Sequence, residues 1–305
     1  MLLARVAENL YWAGRYLERA EDTARLLREY TNLMVDLPTV VPVRWAPLHL
    51  LTGDYHPDAD EHAVMTTLIG DNESGSSVVT SVRLARENLR TARDVIPQEL
   101  WQVVNDLHLY VASNRSEGVA RATRQRFLER VVSEAQRAAG VMDGVMSRET
   151  AYRVFRLGMV LERADLTLRI LDVSAVAFGS PGAAELHASV QWASALRSAA
   201  ALQMFRRANR GVPAAATVVR FLLLDERFPR SVIGCLDEIE RCGTDLLDLD
   251  TVKRAALAAT DAATVAADGD MTALRPALTA AQTACSEIHA SIGSIVFALP
   301  AIDAR

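Results

Sequence analysis

The residues best equipped for chemistry sit in a motif that the chain carries twice. Gly14 to Leu27 reads GRYLERAEDTARLL and Gly158 to Leu171 reads GMVLERADLTLRIL, so Gly, Leu, Glu, Arg, Ala, Thr, Arg and Leu coincide without a gap. At about 100° per helical residue, Gly14, Glu18 and Arg25 share a strip about 40° wide, and Gly158, Glu162 and Arg169 repeat it. Arg19 and Arg163 lie about 100° further round and are expected to point elsewhere. Glu18 and Arg25 are two turns apart, too far for the favoured three- or four-residue pairing, so each is expected to meet a partner on another helix. A pseudo-dyad between the copies would set Glu18 against Arg169 and Glu162 against Arg25.

Two chemistries fit this set. A reciprocal Glu/Arg lattice, buried, would fix how two halves register. A pocket would instead use the arginines to grip a carboxylate or phosphate while a glutamate of raised pKa acts as base or binds an amine. A glycine inside a helix costs about 1 kcal/mol against alanine, so Gly14 and Gly158 mark places where another backbone or a ligand comes close. Arg230-Ser231, where a helix should start, is a further candidate, either as a cap or as an anion site at a helix N-terminus.

The remaining polar residues exclude more than they suggest. No Glu-x-x-His occurs and the six histidines are scattered, so no metal is expected; His56, Asp58, Asp60, Glu61 and His62 read as a solvated loop. No Gly-rich phosphate loop or nucleophile elbow is present, and no cofactor is expected. Cys235, Cys242 and Cys285 form neither a disulfide framework nor a metal spacing, which fits a reducing cytoplasm. Net charge is −5 with the two signs interleaved, which argues against nucleic acid and anionic membrane as partners. No run of apolar residues is long enough to span a bilayer, and no leader is expected before Arg5 and Glu8. Lys253 is the single lysine among 33 basic residues, in keeping with a GC-rich coding bias.

The elements that position the motif are helices. Apolar residues recur at three- and four-residue spacing and none of the chain shows sustained strand-like alternation, so the fold class is all-α, a multi-helix bundle. The spacing predicts helices over 2–36, 61–69, 78–95, 98–113, 117–146, 148–175, 184–209, 213–224, 231–248, 251–267 and 271–298. Breakers fall at Pro38, Pro42 and Pro47, between Gly53 and Asp60, between Gly70 and Gly75, and at Gly179-Ser180-Pro181-Gly182. On the motif helix, Leu10, Ala13, Leu17, Ala20, Ala24 and Leu27 make one apolar stripe that seeks the core, and Tyr11, Trp12 and Tyr16 read as core packing beside it. A weaker echo follows each copy, Leu68, Asp71 and Ser77-Val78 against Leu222, Asp225 and Ser231-Val232. One domain over 1–305, made by internal duplication of halves at about 1–146 and 147–305 with a pseudo-twofold arrangement, accounts for both echoes.

The opening LARVAENLYWAGRYLERA, with Ala85-Arg-Glu-Asn88, Glu99-Leu-Trp101, Phe155-Arg-Leu-Gly158, Leu161-Glu-Arg-Ala164 and Phe228-Pro-Arg-Ser231, resembles the bacterial alpha-E family, helical proteins named for a recurrent Glu-Arg motif. That motif falls on Glu18, Arg19, Glu162 and Arg163. The resemblance implies two partners, a circularly permuted ATP-grasp protein and a transglutaminase-like protein, and through them peptide or amide-bond synthesis or modification. It leaves three roles open: an accessory protein that binds the ligase or its product, an enzyme using Glu18 or Glu162 as base with arginine clamps, and a purely structural adaptor.

Overall fold

Helix α1 (Ala4–Asp36) is rich in the strong helix formers Ala, Leu, Arg and Glu, with Gly14 its one glycine and no proline, and it stops where Leu37 turns extended ahead of Pro38. At 1.5 Å per residue its 33 residues reach about 50 Å. The computed structural model in which it lies describes residues 3–38, 41, 43–53, 56–71, 75–178 and 183–298, with side chains in the last stretch described from 187. The turn expected at Gly179-Ser180-Pro181-Gly182, together with Pro42, lies outside the described residues.

The other described elements are helical too, and no strand occurs among the described residues. In order come α2 (Glu61–Met65), α3 (Val78–Arg90), α4 (Gln98–Ser113), α5 (Arg115–Val119), α6 (Arg124–Val145), α7 (Thr150–Phe178), α8 (Ala183–Ser198), α9 (Leu202–Ala208), α10 (Ala215–Leu224), α11 (Val232–Gly243), α12 (Leu249–Ala267) and α13 (Met271–Val296). Helix α7 buries 22 of its 29 residues, which makes it a central helix covered on nearly every side.

Helices α1 and α7 form the axis of the molecule. Their side-chain bonds join residues 143 to 147 positions apart, a nearly constant separation, so the two run parallel and in register. Helices α3 and α6 pack on α1; α11 and α13 pack on α7; α4 lies against α3 and α6, and α12 against α13 and α10. One hydrophobic cluster continues through all of them, including the predicted stripe from Leu10 to Leu27.

Helices α3 and α11 begin alike. Ser77 accepts from Thr80 N at 3.1 Å and Ser231 from Gly234 N at 3.0 Å, while each hydroxyl donates to the carbonyl of an aspartate six residues earlier, Asp71 or Asp225. Each cap satisfies one helix-end donor that would otherwise be orphaned.

Four predicted helices are interrupted. The 78–95 helix ends at Arg90, and a short 3-10 turn over Arg93–Val95 follows it. The 61–69 helix passes into a wider π turn over Thr66–Gly70. The 117–146 helix breaks between α5 and α6 because the buried Arg124 guanidinium donates to the carbonyls of Gly118 and Val119, taking the place of backbone donors. The 184–209 helix breaks at Ala200, whose φ of 54° is left-handed, and Ala201 N bonds Leu196 O at 2.7 Å. Alanine in that role carries no sequence signal.

Candidate functional site

The two motif glycines let the axis form. A Cβ on Gly14 would stand 2.3 Å from Phe155 O, and one on Gly158 would stand 2.0 Å from Tyr11 O, so each glycine admits the other helix's backbone. One turn on, the glutamates of both copies are buried, Glu18 completely. Arg163 grips Glu18 through Nε and Nη2 at 2.7 and 2.9 Å, and Arg19 grips Glu162 through Nε and Nη2 at 2.5 and 3.1 Å.

These pairs correct the predicted ones. Glu18 meets Arg163, not Arg169, and Glu162 meets Arg19, not Arg25. Because Glu and Arg of one dipeptide sit about 100° apart, they straddle the seam between two parallel helices, and each reaches its opposite number on the facing copy. Arg25 and Arg169 lie too far along the strip and instead pair within their own helices, with Glu21 and with Asp165 at 2.8 Å. The acid four residues before each arginine was visible in the sequence.

The two centres are completed differently. At Glu18, Arg230 enters from the turn before α11, 3.1 Å from the glutamate and paired to Asp22, while Thr167 holds the Arg230 carbonyl at 3.0 Å. Gln136 also reaches Glu21. At Glu162, Arg15 of α1 adds a bond at 2.5 Å, and Arg19 Nη1 donates to Gly75 O. The Asp22–Arg230 contact spans 208 residues, and Arg15 fills a motif position where the other copy has Met159, so neither was predicted.

The anion site expected at Arg230 and Ser231 is thereby corrected: the guanidinium turns inward to acids and the hydroxyl serves as a helix cap. In the predicted loop cluster, Asp60 caps α2 and Glu61 binds Arg124 at 2.6 Å. No group of three or more His, Cys, Asp or Glu among the described residues is placed to hold a metal. Tyr11 is core, its hydroxyl 2.8 Å from His289 Nδ1, with Trp12 and Tyr16 stacked at the edge.

Electrostatics sets what each acid can do. Burial works to raise the Glu162 pKa, but Arg15 and Arg19 outweigh it and hold it down at about 2. Burial is likewise opposed at Glu18, where Arg163 and Arg230 keep the carboxyl below its usual range. The predicted glutamate of raised pKa is therefore corrected: both are fixed anions. Asp22 moves the other way, pushed up to about 7 by burial and by Glu18 and Glu21 against the pull of Arg230.

Among the described residues, Glu162 adjoins a cleft. A cavity of about 260 Å³ is lined by Arg19, Thr23, Gly53, Ser76, Glu162, Asp165 and Arg169, among others. Arg163 edges a smaller cavity of about 160 Å³, but Glu18 does not line it.

Comparison with known proteins finds a helical family that carries the same dipeptide. A family model described as a predicted alpha-helical domain with a conserved ER motif matches residues 2–297. Uncharacterised proteins of Mycobacterium bovis and of two strains of Mycobacterium tuberculosis are 26% identical over 269 residues, covering 80% of this chain and 30% of each relative. The chain thus spans less than a third of the length of these curated relatives. No solved structure matches.

Proposed function

The chain belongs to the Alpha-E family, and from that premise we propose that it is a helical accessory protein of an ATP-grasp-associated system for peptide or amide-bond synthesis or modification, binding the ligase partner or its peptide product. The observation that carries this reading is the state of the Glu-Arg motif: both glutamates are buried, ionised and occupied by arginines of the facing helix, so neither is poised to take a proton. A motif spent on holding two helices together serves to shape a surface. Relatives in which the matching segment is 30% of a longer chain support a role exercised beside other protein.

The proposed partners are the circularly permuted ATP-grasp protein and the transglutaminase-like protein, and the proposed compartment is the cytoplasm, where the ligase finds ATP. No helix among the described residues is long and apolar enough to cross a membrane. The proposed origin is internal duplication, supported by the shared motif and by the matched serine caps of α3 and α11.

Co-purification tests the reading. The tagged full chain should retain the ATP-grasp protein of its own genome or that protein's product; retention of neither would overturn it. An enzymatic reading keeps one observation in its favour, the cleft beside Glu162. In that reading the arginines would clamp an anion and Glu162, ionised throughout, would orient them.

A further inference from the structure

The two centres differ at the position filled from the turn preceding α3 or α11. Ser231 stands 154 residues after its counterpart Ser77, and the residue before each cap is Arg230 in one half and Ser76 in the other. Where Arg230 occupies the Glu18 centre, the hydroxymethyl of Ser76 leaves the Glu162 centre open, and the cleft of about 260 Å³ lies there. Leu166, on the cleft wall, stands where the other copy has Asp22, the acid that Arg230 binds.

The charges differ as well. The Glu18 centre sets Arg25, Arg163 and Arg230 against Glu18, Glu21 and Asp22, three against three once Asp22 ionises above about pH 7. The Glu162 centre sets Arg15, Arg19 and Arg169 against Glu162 and Asp165, three against two. The excess arises where Arg15 and Arg19 share Glu162, while Arg169, paired with Asp165, lines the cleft and is 31% exposed. Arg169 gives Nε to Asp165 and Nη1 to Leu50 O at 3.5 Å, so Nη2 has no partner among the described residues. Thr23 lines the same cleft, and its hydroxyl also has no partner among them.

We propose that this cleft binds a monoanionic carboxylate, the C-terminus of an amino acid or dipeptide, with Arg169 and Thr23 as donors. A single excess positive charge matches a monoanion rather than a phosphate dianion, because an arginine already tied to Asp165 offers one free edge. The volume lies just below the range that encloses drug-sized ligands, which sets the size of the occupant. The proposal deepens the product-binding reading above and rests on it, but not on the identity of the protein partner.

Titration calorimetry on the full chain tests it, with alanylalanine, alanylalanine amide and inorganic phosphate as probes. Alanylalanine should bind saturably and its amide should not. Arg169→Gln should weaken binding at least about tenfold, as the loss of a charged hydrogen bond does, and Ser76→Arg should abolish it by supplying the side chain that closes the other centre. Melting curves establish that each variant is folded; if Ser76→Arg is not, Arg169→Gln carries the test alone. No saturable binding of alanylalanine, equal binding of the amide, preference for phosphate, or wild-type affinity in folded Arg169→Gln would each overturn the proposal. Lost dipeptide binding with the ATP-grasp protein still retained would sink this site and spare the accessory role; the reverse result would spare the site.

Discussion

At Glu18 the facing arginine, a second arginine from a distant turn and two more acids of α1 close on one another and leave no room. At Glu162 the same dipeptide is met by the facing arginine and by Arg15, and a serine on the equivalent turn leaves a cleft. The helical code is shared; the residue delivered from outside it, Arg230 or Ser76, decides whether the centre is lattice or pocket. A repeated motif therefore fixes an architecture twice, and the loops differentiate it.

The largest effects should fall on the closed centre. Glu18→Ala removes a fully buried carboxylate that both Arg163 and Arg230 bind and should cost about 3–5 kcal/mol in urea unfolding. Glu162→Ala should cost less, because Arg19, 21% exposed and on the wall of the cleft, can rehydrate. Equal costs would remove the distinction between the centres.

Protonation should separate them next. The folded chain holds the Asp22 proton up to about pH 7, whereas the unfolded chain releases it near 3.8, so this group's contribution is full below pH 3.8 and is lost as pH rises through about 7. Glu162 has the opposite sign: its contribution is present above pH 4.5 and is lost as pH falls towards about 2. Asp22→Asn should flatten the stability profile between pH 4 and 7, a change of a few kcal/mol, and leave the acid limb intact.

Both glycines should prove equally intolerant, since each abuts backbone that cannot swing aside. Gly14→Ala and Gly158→Ala should each cost about 1–3 kcal/mol, while Gly140→Ala on α6, with open space around it, should gain about 0.5–1 kcal/mol. Smallest and most symmetrical are the caps: Ser77→Ala and Ser231→Ala should each lose about 1 kcal/mol by thermal melting.

Much of this was legible in the residues. The apolar stripe of α1 is buried as its spacing implied, and the paired glycines mark a close backbone approach as their cost implied. What stayed hidden depends on tertiary placement. Helix direction decides whether Glu18 faces Arg163 or Arg169, and periodicity is blind to direction. A guanidinium replacing backbone donors at Arg124 and a left-handed alanine at 200 obey no local propensity. Arg230 reads as part of a cap or an anion site until the fold brings it to Asp22.

The central claim is that the Glu-Arg dipeptide works across the helix pair rather than within its own helix. Double-mutant cycles on Glu18 with Arg163, and on Glu18 with its sequence neighbour Arg19, measure this by urea unfolding. The structure predicts a coupling of about 2 kcal/mol or more for Glu18 with Arg163 and within about 0.5 kcal/mol of zero for Glu18 with Arg19. Coupling confined to Glu18 and Arg19, or absent from both pairs, would contradict it.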